Sequence, residues 1–236
     1  MVDAITTRAG RAATRVGRHT TAAQAGAGAG IPLETKLQPT QARGQDTYEI
    51  VLATAGEMLR DMGFEQLTTN AICQRAGLTP PALYRYFPNK YAILKELGDR
   101  LMSAQDEVVL EWIDGGGLAG DTVETRLASS IAIHERIVEI TRAFPGGAAI
   151  ARALRAVPML QRLRFESRDM VADRFYAAVR ARYPKTSEQR LRVAMRMMVE
   201  LSYAAVEMVV EEPDRDADIL NREVCLLFAL YFETFD

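Results

Sequence analysis

Apolar residues recur at intervals of three and four through most of the chain, and no stretch alternates for long enough to read as a strand. The pattern predicts an all-α protein. Punctuation by Gly, Pro and small polar residues divides it into helices over about 46–62, 69–76, 80–86, 89–113, 122–143, 148–156, 158–182, 188–211 and 216–235. Gly63 ends the first helix, and Thr68 or Thr69 caps the second. Pro80 suits the first turn of the third, where the missing N–H has no partner to lose. Gly115-Gly116-Gly117 breaks the fourth, and Asp121 with Glu124 resembles a capping box for the fifth. Ser187 caps the eighth, and Pro213 separates it from the last. Residues 1–45 are rich in Ala, Gly, Thr and Arg without a sustained period, and are expected to be mostly a disordered basic arm.

Within this pattern, residues 68–90 (TTNAICQRAGLTPPALYRYFPNK) form a distinctive unit. Ile72, Cys73, Ala76, Leu78, Leu83 and Phe87 are its apolar positions. The four-residue spacings either side of Gly77 predict two short helices sharing one small core at a steep angle. The second helix then presents Pro80, Pro81, Ala82, Tyr84, Arg85 and Tyr86 outward, with Lys90 just beyond. A compact helix-turn-helix with such a face suits a DNA major groove.

The stretch from about Asp46 to Leu94, roughly a fifth of the chain, resembles the DNA-binding domain of the TetR family of bacterial transcription regulators. The resemblance rests on Ala55, Leu59, Gly63-Phe64, Thr68-Thr69, Ile72, Ala76-Gly77-Leu78-Thr79, Leu83-Tyr84, Tyr86-Phe87 and Lys90. Cys73 and Pro80-Pro81 depart from the family's usual residues. The resemblance implies phosphate contacts from Thr69, Tyr84, Tyr86 and Lys90 on double-stranded operator DNA. It places Asn70, Thr79, Pro80, Pro81, Ala82 and Arg85 toward base edges, and of these only Asn70, Thr79 and Arg85 can hydrogen-bond a base. It further implies a homodimer joined through the helices near 188–211 and 216–235, acting as a repressor that a small-molecule effector releases. The last helix is apolar almost all round through Val224–Phe232, which itself calls for cover on every side.

Charge sharpens this division. The 236 residues carry a net charge of −2, but residues 1–45 hold six Lys/Arg against two Asp/Glu, and Arg75 to Lys95 holds four basic residues and no acidic one. Residues 96–236 hold eighteen against twenty-four. Basic charge thus gathers at the end expected to meet phosphate. The expected organisation is an arm (1–45), a three-helix DNA-binding domain (46–94), and a larger helical ligand-binding and dimerisation domain (95–236).

In the larger domain, Met102, Trp112, His134, Phe165 and Tyr176 are candidates for lining an adaptable apolar pocket. Cys73 and Cys225 are expected to be buried thiols in a cytoplasmic protein. No apolar run is long enough for a transmembrane helix. Two histidines and no metal-ligand spacing argue against a metal, and no phosphate-binding glycine loop or nucleophile elbow is found. The expectation is no cofactor and no enzymatic activity; the alternative is a helical small-molecule-binding protein or enzyme with an unused helix-turn-helix.

Overall fold

The computed structural model describes residues 31–39, 42–212, 214 and 216–235. Residues 1–30, most of the expected arm, lie outside the described residues. Among the described residues the secondary structure is wholly helical, in nine α-helices. These are α1 (Ala42–Gln66), α2 (Thr69–Ala76), α3 (Pro80–Tyr84), α4 (Lys90–Asp114), α5 (Val123–Ala143), α6 (Gly147–Ala156), α7 (Gln161–Val179), α8 (Glu188–Glu211) and α9 (Ala217–Tyr231). None is long and apolar enough to cross a membrane.

Helix ends follow local chemistry, with two departures from expectation. Gly63 leaves helical geometry at φ 75° and ψ 175° and so ends the first helical run as expected, with one short turn after it within α1. At α5 the cap is Thr122, one residue later than expected. Its hydroxyl accepts from the Thr125 amide while Thr125 Oγ1 accepts from the Thr122 amide, so a threonine pair replaces the expected Asp121 and Glu124. Pro158 opens a single 3-10 turn, Pro158–Leu160, and α7 starts only after it. Thr68, Asn89, Ser187 and Asp216 each cap a helix through a side-chain oxygen.

Residues 32–39 also differ from a loose arm. The Lys36 amide donates to the Tyr86 carbonyl at 2.7 Å, the Asn89 side-chain amide donates to the Pro32 carbonyl at 2.8 Å, and Leu33 packs on the core. These residues form a strap across the end of α3 and the start of α4.

Packing forms three apolar cores. The first joins α1–α4 to α6, with Tyr48, Leu59, Ile72, Leu83, Phe87, Leu94, Leu101, Ile150 and Leu154 buried together. The core of the three short helices therefore continues beyond residue 94 into α6. The second core gathers Val109, Ile133, Ile137, Val171, Val199 and Val206, and the third centres on Met195, Met198, Phe228 and Phe232.

Two glycine contacts bring backbones together between α1 and the turn before α6. A Cβ on Gly56 would lie 2.7 Å from the Pro145 carbonyl oxygen. One on Gly146, at φ 75°, would meet the Gly56 carbonyl oxygen inside van der Waals contact. Only glycine permits this approach. On α4, Gly98 likewise admits Leu154 of α6, whose Cδ2 would be 2.7 Å from an added Cβ.

Candidate nucleic-acid interface and ligand cavity

Gly77 adopts φ 66° after α2 and closes it, and the Leu78 amide returns to the Cys73 carbonyl at 2.9 Å. The chain can then turn sharply into α3, whose first two residues are Pro80 and Pro81. The Thr69 hydroxyl at the start of α2 and the Tyr84 hydroxyl at the end of α3 lie 2.9 Å apart. Two expected phosphate donors are therefore brought together. Asn70, Thr79, Pro80, Pro81 and Arg85 are exposed beside them, and Ala82 is half-buried.

Tyr86 departs from its expected position on the outward face. It is only 4% exposed, with its ring edge-on to Tyr48 at 5.8 Å. Residues 83, 86 and 87 share the inner side, as spacings of three and four require, so Tyr86 packs rather than points outward. Lys90 is half-buried, its ammonium 3.0 Å from the Phe64 carbonyl and 4.4 Å from the centre of that residue's ring. It satisfies a carbonyl left free where α1 ends. Arg75 pairs with Asp61 at 2.8 Å and Glu57 at 3.2 Å, so its charge is locally balanced.

One cation on this side was not anticipated. Lys36 on the strap is exposed and donates to the Tyr84 carbonyl at 3.1 Å. No short-range signal reveals it, because its partner lies 48 residues away.

An apolar cavity of about 50 Å³ lies between α4, α5, α7, α8 and α9. Trp112, His134, Phe175, Tyr203 and Phe228 are among its walls. Trp112 and His134 thus meet in one space. Met102 lines a smaller, neighbouring cavity of about 30 Å³ together with Arg164, Arg168 and Glu207. Tyr176 borders a separate surface recess, under the Arg192 guanidinium at 3.9 Å from its ring centre. Phe165 is 46% exposed and lines neither cavity. Its stretch of α7 alternates with Arg162, Arg164 and Glu166, so the local sequence offers no apolar face to turn it inward.

Tyr203 borders both cavities, and its hydroxyl donates to the buried Asp106 carboxylate of α4 at 3.0 Å. Ser167 Oγ donates to the same oxygen at 3.0 Å, while burial pushes the Asp106 carboxyl above its usual range. The Arg168 guanidinium stands 4.7 Å from the centre of the Tyr203 ring and pairs with Glu200 and Glu207. A connected polar cluster thus ties α4 to α7 and α8.

His134 is 3% exposed; its Nε2 is 3.0 Å from Ser202 Oγ, and its Nδ1 has no hydrogen-bond partner. Burial pulls its pKa down to about 4. The unfolded imidazole titrates near 6.5, so between those values the unfolded chain binds the extra proton. This contribution to stability is complete above pH 6.5 and is lost as pH falls toward 4. In urea titrations, His134→Phe should lose about 2 kcal/mol less stability than the wild type between pH 7 and pH 5. Equal losses in the two proteins would show that His134 is not buried in its neutral form.

Apolar side chains also lie uncovered on the last two long helices, which pack against one another. On α8, Val193, Met197, Leu201 and Met208 are exposed along one stripe, while Ala194, Met198, Ala205 and Val209 are buried. On α9, Ile219, Leu227 and Leu230 are exposed and Phe228 is buried. Large exposed apolar stripes of this kind mark association surfaces.

Comparison with known proteins agrees with this geometry. Residues 51–97 match the family model described as bacterial regulatory proteins, tetR family. The chain is 44% identical over 55 residues to the tetracycline repressor protein class C of Escherichia coli, covering 23% of this chain and 25% of that protein. It is 35% identical over 63 residues to the HTH-type transcriptional regulator EthR of Mycobacterium tuberculosis, covering 27% and 29%. These matches span between a quarter and a third of the curated relatives' length. The fold likeness extends further: a tetR-family transcriptional regulator from Streptomyces coelicolor aligns over 80% of this chain and 81% of its own, with TM-score 0.59 and 16% identity. A regulator from Aquifex aeolicus aligns over 79% and 99%, with TM-score 0.58 and 16% identity. Residues 51–97 thus carry the sequence of a tetR-family regulatory domain, and the helical architecture of the chain is similar to that of these solved regulators.

Proposed function

We propose that the protein is a sequence-specific DNA-binding transcription regulator, a homodimeric repressor released from its operator by a small molecule and acting in the cytoplasm. The observation that carries this reading is the helix-turn-helix face, where Asn70, Thr79 and Arg85 stand exposed beside the paired hydroxyls of Thr69 and Tyr84. Hydroxyls and helix amino termini are suitable phosphate donors, and Arg85 is suited to a guanine edge. Pro80, Pro81 and Ala82 offer apolar contact to thymine methyls. The apolar stripes on α8 and α9 support pairing of two copies, as a two-half-site operator requires.

The route for release follows α4. This helix begins at Lys90, directly after the recognition unit; its later turns carry Val109 and Trp112 to the apolar cavity, and Asp106 accepts a hydrogen bond from Tyr203 of the cavity wall. A ligand that moves Tyr203 or the end of α4 would tilt that helix and alter the separation of the two recognition helices. One half-site would then lose its contacts.

Selection of random duplex DNA on the purified protein tests the proposal. We expect enrichment of an inverted repeat whose half-sites lie about one helical turn, roughly 34 Å, apart. Arg85→Ala should relax preference at one base position and cost about 1–3 kcal/mol, whereas Tyr84→Phe should weaken all sequences alike. Binding without sequence preference would defeat the reading.

A further inference from the structure

The apolar cavity lined by Trp112 and His134 has an unusual balance of polar groups. Among the described residues its lining holds no Lys, Arg, Asp or Glu, unlike the neighbouring cavity with Arg164, Arg168 and Glu207. Most of its polar atoms are engaged: the Trp112 indole donates to Ser129 at 2.9 Å, and the Tyr203 hydroxyl donates to Asp106. His134 is different, because one ring nitrogen contacts Ser202 while Nδ1 is buried without a partner. Ser130, one helical turn earlier on α5, lines the same cavity. A buried polar atom left unpaired costs free energy, and a ligand that pairs it recovers that cost.

We propose that this cavity binds an uncharged molecule with a compact apolar body and one hydroxyl group, held through that hydroxyl by His134 Nδ1. This rests on reading the cavity as the effector site. A charged ligand is disfavoured because an ion moved into this lining finds no counter-charge. A pure hydrocarbon fits the walls but leaves Nδ1 unpaired. A hydroxyl suits either imidazole tautomer: when Nε2 accepts from Ser202, Nδ1–H donates to the ligand oxygen, and in the other tautomer Nδ1 accepts from the ligand O–H. The space of about 50 Å³ is roughly a third of the ~150 Å³ that holds a benzene ring, so a small ring enters, and reaches Nδ1, only as the walls move outward.

Trp112 is the protein's single tryptophan and lines the cavity, so its emission reports occupancy directly. Cyclohexanol, cyclohexane and cyclohexanecarboxylate share one body and differ in the feature at issue. Titrated into the full-length protein, cyclohexanol should give a saturable change with a Kd at least tenfold below that of cyclohexane, and the carboxylate should give none. In His134→Phe the alcohol's advantage over the hydrocarbon should shrink to about twofold or less. Carboxylate binding equal to the alcohol, an advantage that survives His134→Phe, or no emission change with any of the three would overturn the proposal. If the variant does not fold, the wild-type ranking decides alone, since it needs no substitution. Operator affinity is measured separately in the same samples. Cyclohexanol that binds without changing it would defeat the release mechanism and leave the ligand assignment standing. Specific DNA binding with an unoccupied cavity would do the reverse.

Discussion

Leu227→Arg should turn the protein into a folded monomer that binds operator DNA at least 100-fold more weakly. Leu227 is 61% exposed on α9, so a guanidinium there is hydrated in an isolated protomer and should leave helix content and thermal unfolding close to wild type. In the proposed dimer the same charge enters an apolar interface without a partner, at a cost of roughly 3–5 kcal/mol. A monomer reaches one half-site and loses the second set of phosphate and base contacts, which is why the effect on DNA should be large. Phe228→Arg makes the contrast. Its side chain is buried against the cavity, so that variant should unfold rather than dissociate. Sedimentation and circular dichroism separate the outcomes. A Leu227→Arg protein that still sediments as a dimer would remove α9 from the interface.

The second large effect is expected at Gly146. Gly146→Val should destabilise the fold by roughly 3 kcal/mol or more, because it combines two penalties. A β-branched residue resists the left-handed conformation at φ 75°, and its Cβ collides with the Gly56 carbonyl oxygen. The collision is with backbone, which cannot rotate away. Gly116→Ala is the control: φ there is 82°, but the nearest atom to an added Cβ is 3.9 Å away. It carries only the conformational penalty, about 1 kcal/mol. Urea unfolding of the two variants should therefore differ by about 2 kcal/mol or more, and equal values would show that α1 and the turn before α6 are not held in contact.

Local signals made much of this architecture legible. Caps at Thr68 and Ser187, the glycine turn at Gly77 and the paired prolines each act within a few residues, and each lies where the chain predicted. The two sides of α8 separate at helical spacing, with Met198 inside and Met197 outside. Tyr86 shows how chemistry can mislead. Its hydroxyl invited an outward role, yet its spacing from Leu83 marks it as core. The cavity could not be read from the chain, because its walls come from five helices and each wall residue looks like ordinary core in its own helix. The strap was hidden for a similar reason. Its bonds run through backbone groups of Lys36, Tyr86 and Pro32, and backbone groups carry no residue-type signal.

The first core also bears on how this molecule can be taken apart. Leu83, Phe87 and Leu94 share their packing with Ile150 and Leu154, which enter the chain more than fifty residues after the recognition unit. A fragment ending at residue 94 would leave that surface bare and wet. Such a piece should be prone to aggregation or proteolysis, and its DNA affinity would understate that of the parent chain. Exchanging recognition units between relatives meets the same obstacle. A transplanted unit has to bring an inner surface that accepts this α6, or bring its own α6 with it.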